Sequence, residues 1–160
     1  MALPGETRSM VIREREVVLR RAAAEELIDL RHRVLRAGLP RHDAIFPGDE
    51  LPANRHFGAF VDREIVCCAT FHREPYDGEA AWRLRGMATN AAFQGRGIGH
   101  ALLDFAEDLL KSDDPMRLLW CNARIAAVPF YQSMGWTIVS ELFDIPTAGP
   151  HHRMIKRMGD

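Results

Sequence analysis

Apolar positions along the chain fall into short runs suited to strands and two longer stretches of helical spacing. Residues 16–21 are short and β-branched, so they read as a strand. A helix opens over 22–26, with Glu25 and Glu26 in the first turn, where the helix dipole favours acids. Leu27, Leu30 and Val34 recur at helical spacing, with Ile28 and Leu35 alongside, and Gly38 and Pro40 end the run. Residues 41–55, with Pro47, Gly48, Asp49 and Pro52, read as a loop or a broken helix. Two β-rich runs, 56–61 and 65–72, flank Asp62, Arg63 and Glu64 in the pattern of an antiparallel hairpin, and a third run covers 80–89 after a turn at 75–79. The stretch 90–99, rich in Gly and Gln, leads into an amphipathic helix carrying Ile98, Leu102, Phe105 and Leu109, which stops before Asp113, Asp114 and Pro115. Residues 116–121 read as a strand and 124–134 as a second helix with Gly135 at its C-terminal cap. Strands over 136–142 and 152–158 flank a loop at 146–150.

This order predicts one α/β domain over residues 10–160, behind a flexible segment at 1–9, with no internal repeat and no linker. With 160 residues, 47% of them apolar, the chain can bury a core without disulfides or a structural metal. Its formal net charge of -1 excludes nucleic-acid binding by bulk charge, so any anionic ligand must be held locally. No uncharged apolar run approaches the roughly 18 residues of a membrane span, and residues 1–10 lack an apolar signal core. A cytoplasmic protein without a membrane partner is therefore expected. Cys67, Cys68 and Cys121 form no CxxC pair, and the adjacent pair would point to opposite faces of a strand, as buried thiols in a reducing compartment. Of seven histidines only His151 and His152 are close in sequence, and strand neighbours make poor ligand geometry, so no metal is expected.

The segment Phe93-Gln94-Gly95-Arg96-Gly97-Ile98-Gly99-His100 lies between a strand and a helix. Its backbone N–H groups and the helix N-terminus form a donor array for phosphate, although such turns also serve simply to pack a helix on a sheet. A P-loop needs Lys-Ser or Lys-Thr after the glycines, and none is present. The dinucleotide fingerprint would need glycine at position 100, which is His100. What remains is Q-x-x-G-x-G, as Gln94, Gly97 and Gly99.

Here the chain resembles the GNAT family of N-acetyltransferases, whose signature is [QR]-x-x-G-x-[GA] at this turn. The likeness extends to Leu84-Arg85-Gly86-Met87-Ala88-Thr89 before the turn, to Leu102-Leu103 after it, and to Asn122-Ala123-Arg124 with Phe130-Tyr131 and Gly135-Trp136 downstream. Arg31 to Arg36 and Gly149-Pro150-His151 also look like a branch of small bacterial members.

The resemblance implies a mixed sheet of six or seven strands flanked by helices, with two parallel strands splayed apart and acetyl-CoA as co-substrate in the opening. It places the diphosphate on backbone N–H groups from Gln94 through Gly95, Arg96, Gly97, Ile98 and Gly99 to His100. Met87, Ala88 and Thr89 would pair with the pantetheine arm as an added strand, with a nearby bulge aiming an N–H at the thioester oxygen. Asn122 would bond the same arm, unless it is an ordinary turn residue. Tyr131 is the expected leaving-group acid, unless it is only a packed aromatic.

The proton acceptor stays open. Many relatives carry a Glu on the strand before the turn, where this chain has Ala81, Arg83 and Arg85. Glu79, His56, His72, His151, His152 and a water chain all remain candidates. The expected reaction is direct acetyl transfer to a primary amine of a small molecule or peptide in a ternary complex, with an acyl-cysteine route second. The alternative is a non-catalytic acyl-CoA-binding module. The acceptor site would be lined by 30–55 and 145–152, where Arg31, Arg33, Arg36, Asp43, Asp49 and Glu50 offer both signs of charge. A homodimer is left open.

Overall fold

The computed structural model describes residues 6–159. In chain order the elements are β1 (Thr7–Ile12), β2 (Arg15–Arg21), α1 (Ala24–Leu35), β3 (Arg55–Val61), β4 (Glu64–Arg73), β5 (Trp82–Thr89), α2 (Ile98–Asp113), β6 (Leu118–Arg124), α3 (Val128–Ser133), β7 (Thr137–Ile138), β8 (Phe143–Ile145) and β9 (Gly149–Arg157). All nine strands join one mixed sheet in the order β1-β2-β3-β4-β5-β6-β9-β7, with β8 also paired to β9. The expected open mixed α/β sheet is present, but with nine strands in place of six or seven.

Two of the extra strands lie where the sequence signal is weak. β1 is an edge strand whose residues are mostly exposed, and it is joined to β2 through Arg13 and Glu14, both at positive φ (49° and 66°). A tight turn built without glycine leaves no local signature. Strand structure therefore begins at Thr7, inside the segment read as a flexible start; residues 1–5 lie outside the described ones. The run 136–142 forms only the two-residue β7. At Ser140 the side-chain hydroxyl accepts the Arg153 N–H, and the chain returns to β9 only at β8.

The stretch 124–134 is not one helix. β6 continues through Asn122, Ala123 and Arg124, paired to Arg153, His152 and His151, and a 3-10 turn over Ile125–Ala127 precedes the short α3. Pro129 explains the late start, because a residue without an N–H fits only the first turn of a helix.

The sheet buries both faces. On one side α2 lays Leu102, Leu103, Phe105, Ala106 and Leu110 against Phe57, Ala59, Cys67, Ala69 and Phe71. On the other, Leu27 and Leu30 of α1 pack on Cys68 and Ala88. Adjacent Cys67 and Cys68 thus face opposite sides, as strand alternation requires. The Glu26 carboxylate accepts the Ala23 N–H at 2.7 Å and pairs with Arg20 at 2.8 Å, which caps α1 and lowers the Glu26 pKa.

The central parallel pair opens. β5 and β6 are in register only at Trp82 with Leu119 and Arg83 with Trp120, after which each strand runs on without the other. β5 also carries a bulge: Cys68 pairs with Ala88 and Thr70 with Arg85, so Gly86 and Met87 together face Ala69 alone. Gly86 sits at φ 62°, and a Cβ there would come within 2.8 Å of the Phe46 ring. Only glycine fits that position.

Candidate active site

The gap between β5 and β6 holds two clefts that meet at Met87, Ala127 and Tyr131. The first, of about 470 Å³, is lined by Met87, Ala88 and Thr89 of β5, by the glycine turn, and by Phe130 and Tyr131 of α3. The second, of about 230 Å³, lies between Leu84 to Met87 on β5 and Cys121 to Arg124 on β6. It is closed by Leu35, Arg36, Phe46, Ile145, Ala148 and His151.

Local geometry shows why the turn has this composition. The Asn90 side chain accepts the Ala92 N–H, and the Gln94 amide donates to the Thr89 carbonyl at 3.2 Å, tying the turn to the end of β5. Gly95 and Gly97 sit at φ 74° and 82°, a left-handed conformation that L side chains rarely adopt. A Cβ on either would meet nothing within 4 Å, so these two glycines serve backbone geometry and leave the space above them open. Gly99 differs: its Cβ would lie 3.3 Å from Met87 Cε and 3.4 Å from the Phe130 ring, so it is small for packing. Gly97 caps α2, and the first N–H groups of α2, at Ile98, Gly99 and His100, have no intrahelical acceptor. Aligned donors at a helix N-terminus beside an open cleft are suited to a phosphate.

Of the positions expected to hold the cofactor, Met87, Ala88, Thr89, Gln94, Gly95, Gly97, Ile98, Gly99 and His100 line the first cleft. Arg96 does not line it; its guanidinium lies 5.5 Å from the Phe93 ring. Asn122 lines the second cleft, and its side-chain oxygen accepts from Arg153 Nε at 3.1 Å, leaving the amide nitrogen as a donor.

Tyr131 lines both clefts and is otherwise buried, 6% exposed, with its ring edge-to-face with Phe130 at 5.2 Å and tilted against Trp136 at 5.3 Å. Burial pushes its phenol pKa well above 10. Cys121 lines the second cleft, but burial raises its thiol to about 12, and Cys67 to about 11. Thiols held so high carry almost no nucleophilic thiolate near neutral pH, which disfavours the acyl-cysteine route.

The candidate bases separate clearly. Glu79 forms an exposed two-pronged pair with Arg157 at 2.6 and 3.0 Å, which lowers its pKa, and it lines neither cleft. His56 is buried in hydrogen bonds to Thr70 and the Asp49 carbonyl. His72, its pKa lowered by burial and then by Arg85, borders a small hollow with Asn54 and Pro47. His152 bonds the Ser140 carbonyl and lines neither cleft. His151 alone of these lines the second cleft, with Nδ1 2.7 Å from the Gly149 carbonyl. A carbonyl can only accept, so Nδ1 carries the hydrogen and the neutral ring keeps its lone pair on Nε2.

Of the charged residues expected around the acceptor, only Arg36 lines the second cleft. Arg31 is fully buried and holds Asp49 at 2.6 and 3.2 Å, the Ala44 carbonyl at 3.1 Å and Thr70 at 2.7 Å, with Phe46 stacked 4.2 Å away. Asp49 also accepts the Phe46 N–H. This network fastens α1 and the 40–54 loop to β3 and β4 beneath the β5 bulge. Arg33, Asp43 and Glu50 do not line the cleft, and what does is positive: Arg36, Arg83, Arg85 and Arg124. In the sequence Arg83 and Arg85 stand out only as lying where many relatives carry a glutamate. Their alternate spacing, which puts both on one face of β5, is the signal for this lining.

An open mixed sheet, parted between two parallel strands beside a glycine turn that caps a helix, is the fold of a small acetyltransferase. The chain belongs to the acetyltransferase (GNAT) family, whose model matches residues 22–136. It is 33% identical over 139 residues to an uncharacterized N-acetyltransferase of Bacillus subtilis (strain 168), YitI, covering 85% of this chain and 93% of that protein. Its fold is similar to that of Escherichia coli ElaA, with a TM-score of 0.75 and 21% identity over 88% of this chain and 99% of that one. It is also similar to an aminoglycoside 6'-N-acetyltransferase complexed with coenzyme A, with a TM-score of 0.67 and 16% identity over 84% and 89% of the two chains. At these identities the solved structures show the fold alone. No helix among the described residues is long and apolar enough to cross a membrane, and no group of three or more His, Cys, Asp or Glu among them could hold a metal ion.

Proposed function

We propose that the protein moves an acetyl group from acetyl-CoA to the primary amine of a small molecule by direct attack within a ternary complex. The observation that carries this reading is the meeting of two separate clefts at Tyr131 and the β5 bulge. One cleft ends at the glycine turn and the other at His151.

The first cleft fits an acyl carrier bearing a diphosphate. Its turn leaves open space over Gly95 and Gly97 beside the unpaired donors of α2, and its other wall is the unpaired edge of β5. Acetyl-CoA supplies an activated thioester there. Backbone N–H groups from Gly95 to His100 hold the phosphates, the Gln94 N–H being donated to the Ala91 carbonyl. Met87, Ala88 and Thr89 align the arm, and an N–H at the bulge polarises the acetyl oxygen. Tyr131, kept protonated by burial, donates a hydrogen bond to the sulfur as charge grows on it.

His151 takes the proton from the acceptor amine through Nε2. The arginines around the second cleft assist, because nearby positive charge disfavours an ammonium and so favours the attacking free base. The C–S bond breaks as the C–N bond forms; the amine proton taken by His151 passes to solvent and the thiolate, hydrogen-bonded by Tyr131, takes a proton from solvent, so transfer from the free-base amine is balanced and an amine arriving as an ammonium releases one proton more.

Initial rates of thiol release at varied acetyl-CoA and amine concentrations test this reading. Intersecting lines are expected, whereas parallel lines indicate an acyl-enzyme and contradict it. kcat/KM for the amine should rise with pH as the acceptor loses its proton. The raised Tyr131 pKa keeps the acid form present, so no falling limb should enter below pH 10. His151→Gln should lower kcat roughly 100-fold near neutral pH and recover part of the loss at high pH, with acetyl-CoA affinity unchanged. A variant as fast as the parent at all pH values removes His151 from the mechanism.

A further inference from the structure

From the charge lining the second cleft we infer that the acceptor is a small amine that also carries an anionic group, a carboxylate or a phosphate monoester. The inference rests on the proposed two-cleft reading and names the substrate class of its acceptor side.

Four guanidinium groups, on Arg36, Arg83, Arg85 and Arg124, come to this cleft from α1, β5 and β6, and no carboxylate lines it. Of the nearby acids, Glu74 pairs with Arg83 itself at 3.2 Å and leaves the other three arginines without an acid, while Asp49 is held by the buried Arg31 at 2.6 Å and Asp43 by His42 at 3.2 Å. Among the described residues no carboxylate forms an ion pair with Arg36, Arg85 or Arg124. Arg124 and Arg36 donate to the Leu35 carbonyl, and Arg36 and Arg85 lie over the Phe46 ring at 5.3 and 4.9 Å.

Like charges gathered in a half-buried space repel. Arg36 and Arg85 are both held below the usual guanidinium range, first by burial and then by a neighbouring arginine, Arg124 and Arg83 respectively. An anion entering the cleft relieves this repulsion and meets planar forks whose geometry matches carboxylate and phosphate oxygens. These cations do not serve the cofactor's phosphates, because none of the four lines the first cleft. The second cleft, at about 230 Å³, falls below the usual ~300–1,000 Å³ of drug-sized pockets, so the acceptor is of metabolite size.

The experiment compares acetylation of matched amines by thiol release: β-alanine against β-alaninamide, γ-aminobutyrate against γ-aminobutyramide, and phosphoethanolamine against ethanolamine, with 1,4-diaminobutane as a cationic control. Rates are expressed per free-base amine, and calorimetry of each amine with the CoA-bound protein gives an independent affinity. In at least one pair the anionic member should exceed its neutral partner roughly 10- to 100-fold in kcat/KM and bind correspondingly tighter, as charge-assisted bonds to arginine imply. The carboxylate and phosphate arms tell the two anions apart.

Arg85→Gln and Arg124→Gln should each shrink that ratio to about threefold or less. Unchanged acetyl-CoA affinity reports that each variant is folded. Neutral amines or the diamine reacting as fast as the anions overturn the inference while the acetyltransferase reading stands, as does a ratio that survives both substitutions. If acetyl-CoA binds but no anionic amine reacts or binds, the inference again fails alone. If acetyl-CoA itself does not bind, the underlying reading fails with it.

Discussion

Replacing Tyr131 with phenylalanine should lower kcat about 100-fold while leaving the dissociation constant of acetyl-CoA within a factor of two or so, in line with the ~10²–10⁴-fold usual for a positioned general acid. The phenol lies where the two clefts meet, packed against Phe130 and Trp136, so loss of one oxygen leaves the ring packing in place. Its pKa is raised by burial first and by Cys121 and Cys67 after that, so the side chain acts as a hydrogen-bond donor across the neutral range and never as a phenolate base. The loss should therefore be incomplete and close to independent of pH between 6 and 9. Steady-state kinetics of the variant, with calorimetry for affinity, check it. An unchanged kcat would reduce Tyr131 to a packed aromatic, whereas acetyl-CoA binding without turnover by the parent protein would favour an acyl-CoA-binding module over an enzyme.

The second large effect concerns stability. Asp49→Asn should lower the melting temperature by roughly 10 °C, because removing one charge of a buried pair typically costs ~3–5 kcal/mol and a chain of this size shifts ~2–4 °C per kcal/mol. Arg31 is fully buried and Asp49 is 7% exposed, so neither can turn to water when its partner is lost. The exposed pair of Arg41 and Asp29 is the contrast: Asp29→Asn should shift the midpoint by less than about 2 °C, since such pairs contribute ~0–1 kcal/mol. Thermal unfolding followed by circular dichroism distinguishes the two. Equal small shifts would mean that the Arg31 network does not fasten the 40–54 loop to the sheet.

The same network marks where sequence reading stopped. Arg31 occupies a helical position next to Leu30 and looks like a solvated charge until the loop that carries Asp49 folds over it. Periodicity reports which positions can face a core, but not which distant partner neutralises a charge placed there. Strands and helices with strong local signals, such as β3, β4, β5 and α2, were legible because alternation or 3.6-residue spacing fixes the buried face. β1 was not, because its exposed edge gives no alternation and its turn uses Arg13 and Glu14 where glycine or asparagine would announce it.

At the candidate site, the turn from Gln94 to Gly99 and the phenol at Tyr131 could be read from spacing and family resemblance. That Asn122 lines the second cleft could not, since its side of the sheet depends on where β6 ends, and β6 runs three residues past the expected boundary at 121. That His151, among the candidate side chains, lines the second cleft likewise needed the pairing of β6 with β9, which brings Arg124 opposite His151 at its rim.

The most direct test of the central claim is a calorimetric titration of acetyl-CoA into the protein, with CoA, NAD and ATP run under the same salt. The two-cleft account predicts one site per chain for acetyl-CoA, with affinity in the micromolar range, similar binding of CoA, and no heat from NAD or ATP at matched concentrations. Absence of binding by both acetyl-CoA and CoA, or equal binding of NAD, would contradict it and leave the glycine turn as a device for packing α2 on the sheet.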